Sequence, residues 1–283
     1  MYKLIDSGNL KKLEKFGDLV ICRPSTFAVW ETDRLLQNTW SNADITFERK
    51  TDKEGTWLTK ANKQLEPFQI KFDDIKFELR FTSFGHLGLF PEQIVEWLWI
   101  KDQIKRIKAE NSQNKVRVLN LFAYTGGSTL ACIQAEADEV VHVDSSKTVV
   151  EWAKHNSKLN GYDQKTIRYI VEDASKFVER EIKRGSVYDG IILDPPTYGR
   201  GVKNEIFKIE SDILPLLENC KNLLKPHFFI NLRAHTPGFT QYTLFNQLKS
   251  ILKQGTNIEA GEMLINSENN KPMPSGFYAR ATN

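Results

Sequence analysis

The residues Asp194-Pro195-Pro196-Thr197-Tyr198-Gly199 follow directly on the apolar run Ile191-Ile192-Leu193. Two successive prolines have fixed φ and no backbone N–H, so they hold a loop rigid and leave its carbonyls open as acceptors for a nucleobase amino group. An aspartate directly before them can accept from the same base, and Tyr198 can stack on it. Three other turns carry chemistry of the same kind. In Asn120-Leu121-Phe122-Ala123-Tyr124-Thr125-Gly126-Gly127-Ser128 the glycines let backbone approach a ligand closely, or simply close a turn. Asp144, about eighteen residues after Gly126, can accept from both hydroxyls of a ribose, or start the helix that Asp-Ser-Ser announces. Glu172-Asp173-Ala174 can accept from an adenine amino group or cap a helix.

These turns need elements to aim them. Four apolar runs, Val116 to Phe122, Val140 to Val143, Ile167 to Val171 and Val187 to Leu193, are each trailed by helix-like sequence, which predicts parallel strands covered on both faces. Ligands bind such sheets at the carboxyl ends of the strands, where the turns above lie. Pro91 opens a long amphipathic helix with Ile94, Val95, Leu98, Ile104 and Ile107 on its apolar stripe, ending in the polar stretch from Glu110 to Lys115. Pro215 should kink or break the helix-like run Ile206 to Leu224. Phe228 to Leu232, Ile258 to Ile265 and Phe277 to Ala281 read as later strands. The short link Asn266 to Ser275 suits an antiparallel pair. Up to Phe84 the chain is different, with short β-like stretches (Asp18 to Cys22, Ile45 to Arg49, Thr56 to Thr59, Phe68 to Phe72, Lys76 to Phe81) between turn residues. Two domains follow: a small β-rich module over 1–84, a candidate for RNA or substrate recognition, and an α/β domain over 85–283. Trp30, Trp40 and Trp57 in the module are either stacking platforms for bases or the large apolar groups that a small core needs.

Composition narrows the class. With 283 residues, 40% of them hydrophobic, the chain is a folded protein, and no apolar run approaches the roughly 18 residues of a membrane span. The amino terminus lacks the pattern of a secretory signal, so a cytoplasmic location is expected. Three separated cysteines are too few for a disulfide framework in a chain of this length and predict free thiols. Net charge is +3, which permits a nucleic-acid partner without requiring one. Arg200, Lys203, Arg233 and Arg280 near the site could hold phosphates, though charges so evenly spread usually form a solvated face. The five histidines have no metal-ligand spacing, so no metal is expected, and the sequence says nothing of oligomeric state.

In chain order these residues resemble class I S-adenosylmethionine-dependent methyltransferases, particularly the large-subunit (23S) ribosomal RNA methyltransferases that pair a catalytic domain with a small β-rich module. The resemblance covers most of the chain. It implies a Rossmann-like seven-stranded sheet whose final strand pair includes an antiparallel member, S-adenosylmethionine as cofactor, and an RNA substrate. It implies cofactor contacts at Phe122, Tyr124, Thr125, Gly126 and Gly127 in the first turn, Asp144 and Ser145 at the ribose, Asp173 and Ala174 at the adenine, and Asp194. Asp194, Pro195, Pro196 and Tyr198 form the implied catalytic loop. Phe84 to Gln93 occupies the place of the family's segment over the methionine end. Gln93 is then a contact and Phe90 a cover, although Pro91-Glu92-Gln93 departs from the family's usual Asp-Gln or Asp-His pair.

Methylating the 5-carbon of cytosine requires a thiolate to add first, and family members that do so carry a cysteine near the end of the fourth or fifth strand. This chain has none there, and Cys220 reads as core among Leu216, Leu217, Leu223 and Leu224. Direct in-line transfer to a ring or exocyclic nitrogen suits the residues better. Two other classes compete: an RNA-binding protein that keeps the fold without turnover, and a nicotinamide-dependent oxidoreductase, against which the lack of G-x-G-x-x-G counts.

Overall fold

The computed structural model describes residues 1–51, 54–60, 64–110, 115–162, 166–201 and 205–283. These form two compact units, Met1–Glu92 with Leu264–Ser275, and Gln93–Met263 with Gly276–Asn283.

The first unit holds β1 (Tyr2–Gly8), β2 (Lys11–Phe16), β3 (Leu19–Pro24), α1 (Gln37–Ser41), β4 (Ile45–Arg49), β5 (Gly55–Thr59), β6 (Phe68–Phe72) and β7 (Ile75–Leu79). Strands β1 to β5 form one sheet in chain order, antiparallel except for the parallel β3–β4 pair, and β6–β7 is a separate antiparallel pair. All three tryptophans serve this fold. Trp30 Nε1 donates to the Ser7 carbonyl at 2.7 Å, Trp40 Nε1 to Asp6 Oδ2 at 2.8 Å, and Trp57 Nε1 to the Thr82 carbonyl at 2.8 Å. Trp57 also packs on Phe47 and Phe81. Strand β2 was not visible in the sequence, because Lys11-Lys12-Leu13-Glu14-Lys15-Phe16 is mostly charged. It is held by a buried pair, in which Arg23 donates to Glu14 from Nε at 2.7 Å and Nη2 at 2.9 Å.

The second unit runs α2 (Ile94–Glu110), β8 (Arg117–Leu121), α3 (Gly127–Gln134), β9 (Glu139–Asp144), α4 (Lys147–Leu159), β10 (Ile167–Val171), α5 (Ala174–Lys183) and β11 (Tyr188–Leu193). Then come β12 (Tyr198–Arg200), β13 (Ile206–Lys208), α6 (Ile209–Lys221), β14 (Leu224–Ala234), α7 (Gln241–Ile251), β15 (Asn257–Ile265) and β16 (Met273–Thr282). The main sheet has seven strands in the order β10-β9-β8-β11-β14-β16-β15. Five are parallel, and β16 runs antiparallel to β14. The order reverses at β8, so the crevice for a ligand opens at the carboxyl ends of β8 and its neighbours.

Alternation along the strands sorts the core into two layers. Leu119, Leu121, Val141, Val143, Ile191 and Leu193 face α5, α6 and α7, while Val118, Val140, Ile192 and Phe229 face α2 and α3. Three details differ from expectation. Val95 and Leu98 are exposed, and the buried side of α2 carries Glu96 and Trp97 ahead of Ile100, Ile104 and Ile107. The run expected to be helical from Ile206 begins as strand β13, and α6 continues unbroken through Pro215. Most of the polar stretch expected to end α2, residues 111–114, lies outside the described residues, as does Lys203. All three cysteines are free and buried, with Cys220 on the buried face of α6. No helix among the described residues is long and apolar enough to cross a membrane.

Candidate functional site

The first turn is shaped by backbone that bulky residues rarely adopt. Phe122 and Tyr124 have φ of 55° and 50°, and Gly126, which precedes α3, has φ of 93°. Left-handed conformations at two aromatic residues cost energy and persist only where surrounding contacts fix them. Those contacts are present. Ala123 N–H donates to the Val143 carbonyl at 3.1 Å, Asn156 Nδ2 to the Thr125 carbonyl at 3.0 Å, and Tyr124 N–H to Asp144 Oδ2 at 3.0 Å.

Asp144 therefore does more than end β9. Its second oxygen accepts from Ser146 N–H at 2.9 Å, while the cap of α4 is Ser146 itself. Burial raises the Asp144 pKa, and the two backbone donors pull it back. Asp173 does cap its helix, accepting from Lys176 N–H through Oδ1 at 3.1 Å. A second tier below the turn is neutral: Asn120 Nδ2 donates to Thr129 Oγ1 at 2.9 Å, and His142 Nδ1 lies 2.9 Å from the same hydroxyl. Burial, with Lys154 adding to it, pulls the His142 pKa down to about 3, so this imidazole is uncharged.

The two glycines differ in role. A Cβ on Gly126 would only graze Ala153, at 3.3 Å, but its φ suits glycine. A Cβ on Gly127 would stand 2.4 Å from Cζ2 of Trp97. Gly127 thus makes room for a buried indole, a role that the turn sequence did not reveal.

Of the residues expected at the site, Phe122, Asp144, Ser145, Asp173, Ala174 and Pro196 line one cavity at the ends of β9 and β10. Phe207 and Arg200 close its other side, and the Phe122 and Phe207 rings are 5.0 Å apart. Gln93 and Asp194 form a neighbouring group, in which Gln93 Nε2 donates to Asp194 Oδ2 and His235 Nε2 lies 3.6 Å from Asp194 Oδ1. Tyr124, Thr125, Gly126 and Gly127 make the turn and do not line the cavity. Pro195 is buried, and Tyr198 is exposed on the β12–β13 pair. Phe207 and His235 join the site without a signal in the sequence: the spacing around Phe207 predicts helix where the structure has β13, and nothing near His235 marks it.

Two arginines expected on a solvated face are buried instead. Arg280 donates to Glu96 Oε1 at 2.5 Å and Oε2 at 2.9 Å, reaches Glu259 at 3.2 Å, and lies 4.0 Å over the Tyr278 ring. It is a structural cation. Arg233 is 1% exposed, and its Nη2 donates to Ser128 Oγ at 2.9 Å.

The donor set fits a nucleoside with an amino-acid tail. Carboxylates at two adjacent strand ends share a cavity walled by aromatic rings, and Arg233 Nε and Nη1 are buried with no partner among the described residues.

Comparison with known proteins points the same way. The family described as S-adenosylmethionine-dependent methyltransferase matches residues 42–240. Over 191 residues the chain is 30% identical to ribosomal RNA large subunit methyltransferase K/L of Vibrio cholerae, which covers 66% of this chain and 25% of that protein. It is 24% identical to ribosomal RNA large subunit methyltransferase I of Aeromonas salmonicida, over 95% of this chain and 69% of that one. The chain spans about a quarter of the length of the K/L relative. A crystal structure of the SAM-dependent methyltransferase from Agrobacterium tumefaciens superposes with a TM-score of 0.91 at 34% identity, covering 99% of this chain and 90% of that one.

Proposed function

The chain belongs to the S-adenosylmethionine-dependent methyltransferase family, and from that premise we propose that it methylates a nitrogen of a nucleobase in RNA, with ribosomal RNA as the substrate class. The observation that carries this reading is the single cavity shared by Asp144, Asp173 and the Pro196 loop at the strand ends.

When bound, S-adenosylmethionine supplies a methyl group activated by its sulfonium. The chain's own residues bind and align. Asp144 is fixed by two backbone donors with lone pairs left to accept from ribose hydroxyls, and Asp173 keeps Oδ2 free of its helix cap for the adenine. The rigid loop Asp194-Pro195-Pro196 presents acceptors to the target base, and Gln93 fixes the Asp194 carboxylate. Exposed Tyr198 is available to stack on that base. Transfer needs no thiol. Burial pushes the Cys220 pKa well up and that of Cys132 up to about 12, so neither is a nucleophile at neutral pH. The β-rich module over residues 1–84 is the candidate for RNA recognition, and a ribosomal RNA substrate would place the reaction in the cytoplasm. Family relatives named for ribosomal RNA support this acceptor class.

The test is calorimetric titration with S-adenosylmethionine, followed by incubation with labelled cofactor and unmodified total RNA and mapping of the label. Binding with label on a base nitrogen is expected. Binding without incorporation into any RNA would favour a fold kept for RNA binding alone.

A further inference from the structure

Arg233 lies at the carboxyl end of β14, beside the loop Asp194-Pro195-Pro196. Leu193 and Leu232 are register partners in the parallel β11–β14 pair, so the next residues, Asp194 and Arg233, are neighbours. Ile230, Leu232 and Ala234 face α6 and α7, whereas Phe229 packs in the layer with α2 and α3. Arg233 falls on the α2–α3 side by the same alternation, and its bond to Ser128 Oγ places the guanidinium against the first turn of α3.

The guanidinium there is incompletely hydrogen-bonded among the described residues. Nε and Nη1 have no hydrogen-bond partner among the described residues, although the residue is 1% exposed. The nearby carboxylates are engaged elsewhere: Asp194 with Gln93 and His235, Glu96 with Arg280 and Asn231. Burying a cation without an anion is among the costliest arrangements in a protein. A guanidinium fork with two unsatisfied nitrogens is matched by a carboxylate, and the amino end of a helix favours the same charge.

We propose that Arg233 receives the carboxylate at the methionine end of the cofactor, an inference that rests on the reading of the chain as an S-adenosylmethionine-dependent enzyme. That carboxylate is the cofactor's anionic group. Asp144 and Asp173 grip the nucleoside, and Arg233 fixes the opposite end, so the two together set where the sulfonium stands relative to Asp194.

The test compares two ligands by calorimetry: S-adenosylhomocysteine, which carries the carboxylate, and 5′-methylthioadenosine, which lacks it. Arg233→Met should weaken the first by about 10- to 100-fold, as expected for loss of charge-assisted hydrogen bonds, and leave the second within about twofold. Arg233→Lys, which keeps the charge but not the fork, should fall between native and Arg233→Met. Without ligand, Arg233→Met should melt at or above the native temperature, since it removes a buried cation whose hydrogen bonds are incomplete. Equal weakening of both ligands, or undiminished affinity for S-adenosylhomocysteine, would overturn the assignment. Failure of the native chain to bind either ligand would instead overturn the cofactor reading beneath it.

Discussion

Gly127→Ala separates packing from ligand approach at the first turn. Gly127 has ordinary helical backbone, so alanine there should help: it raises helix propensity and restricts the unfolded chain, together worth about 1 kcal/mol. Against this stands Trp97, 1% exposed, with Cζ2 at 2.4 Å and Cη2 at 3.1 Å from the new methyl. Ordinary carbon contacts begin near 3.4 Å, so an indole enclosed by the core must move by about 1 Å. Overpacking of this kind costs about 1–3 kcal/mol, with forced movement of a fully buried ring towards the upper end. The net expectation is a loss of about 1–2 kcal/mol in urea unfolding without ligand. Trp97→Phe removes the ring that carries both clashing atoms. In that background the same alanine should be neutral or mildly stabilising, giving a coupling above about 1 kcal/mol in a double-mutant cycle. If Gly127→Ala costs the same with Trp97 and with Phe, or stabilises the native background, the packing argument fails. Closeness to a ligand would then be the reason for glycine here.

Three further outcomes follow from ionisable groups held inside the fold. Glu96→Gln leaves Arg280 in the core with Glu259 as its remaining carboxylate, and should cost about 3–5 kcal/mol in chemical denaturation; a loss under 1 kcal/mol would mean that the pair is dispensable. His142 has its pKa held near 3 in the fold and about 6.5 when unfolded, so protons bind preferentially to the unfolded chain between these values. Its contribution is intact above pH 6.5 and lost progressively towards pH 3, at up to about 1.4 kcal/mol per pH unit; His142→Asn should flatten that part of a pH series of unfolding curves, and an unchanged slope would count against the neutral buried imidazole. Asp144→Asn turns an acceptor of two backbone N–H groups into a side chain with one carbonyl, leaving a donor facing a donor. Stability should fall by about 1–3 kcal/mol and S-adenosylmethionine binding should be lost in calorimetry, whereas retained affinity would exclude the ribose role.

The sheet was legible in the sequence where its strands are buried on both faces. Val140 to Val143 and Val187 to Leu193 are continuous apolar runs, and a chain can bury such runs between helices with little ambiguity. The turns were legible for a related reason, since parallel strands all end at one edge, and polar residues following each run must gather there. Legibility stopped where a charge is buried. Strand β2 looks like surface until Arg23 arrives from β3 to neutralise Glu14, and the buried face of α2 is hidden in the sequence because Glu96 is satisfied by Arg280, 184 residues later. Such pairs have no periodicity, because the topology that unites them is itself a product of the whole fold.

Arg233 and Arg280 show what the fold adds to such a reading. In sequence they are equivalent, each a lone basic residue inside an apolar stretch near the chain's end. In the structure they stand on adjacent strands, where Asn231 pairs with Arg280 and Arg233 with Tyr278. One is answered by Glu96 and Glu259 and by two aromatic faces, so its charge is accounted for within the unit. The other meets a single serine hydroxyl, and its remaining donors point at no acceptor among the described residues. A fold that compensates one buried guanidinium this thoroughly has the means to compensate its neighbour. That it does so for Arg280 alone is the physical ground for assigning Arg280 to stability and Arg233 to an anion that arrives with the cofactor.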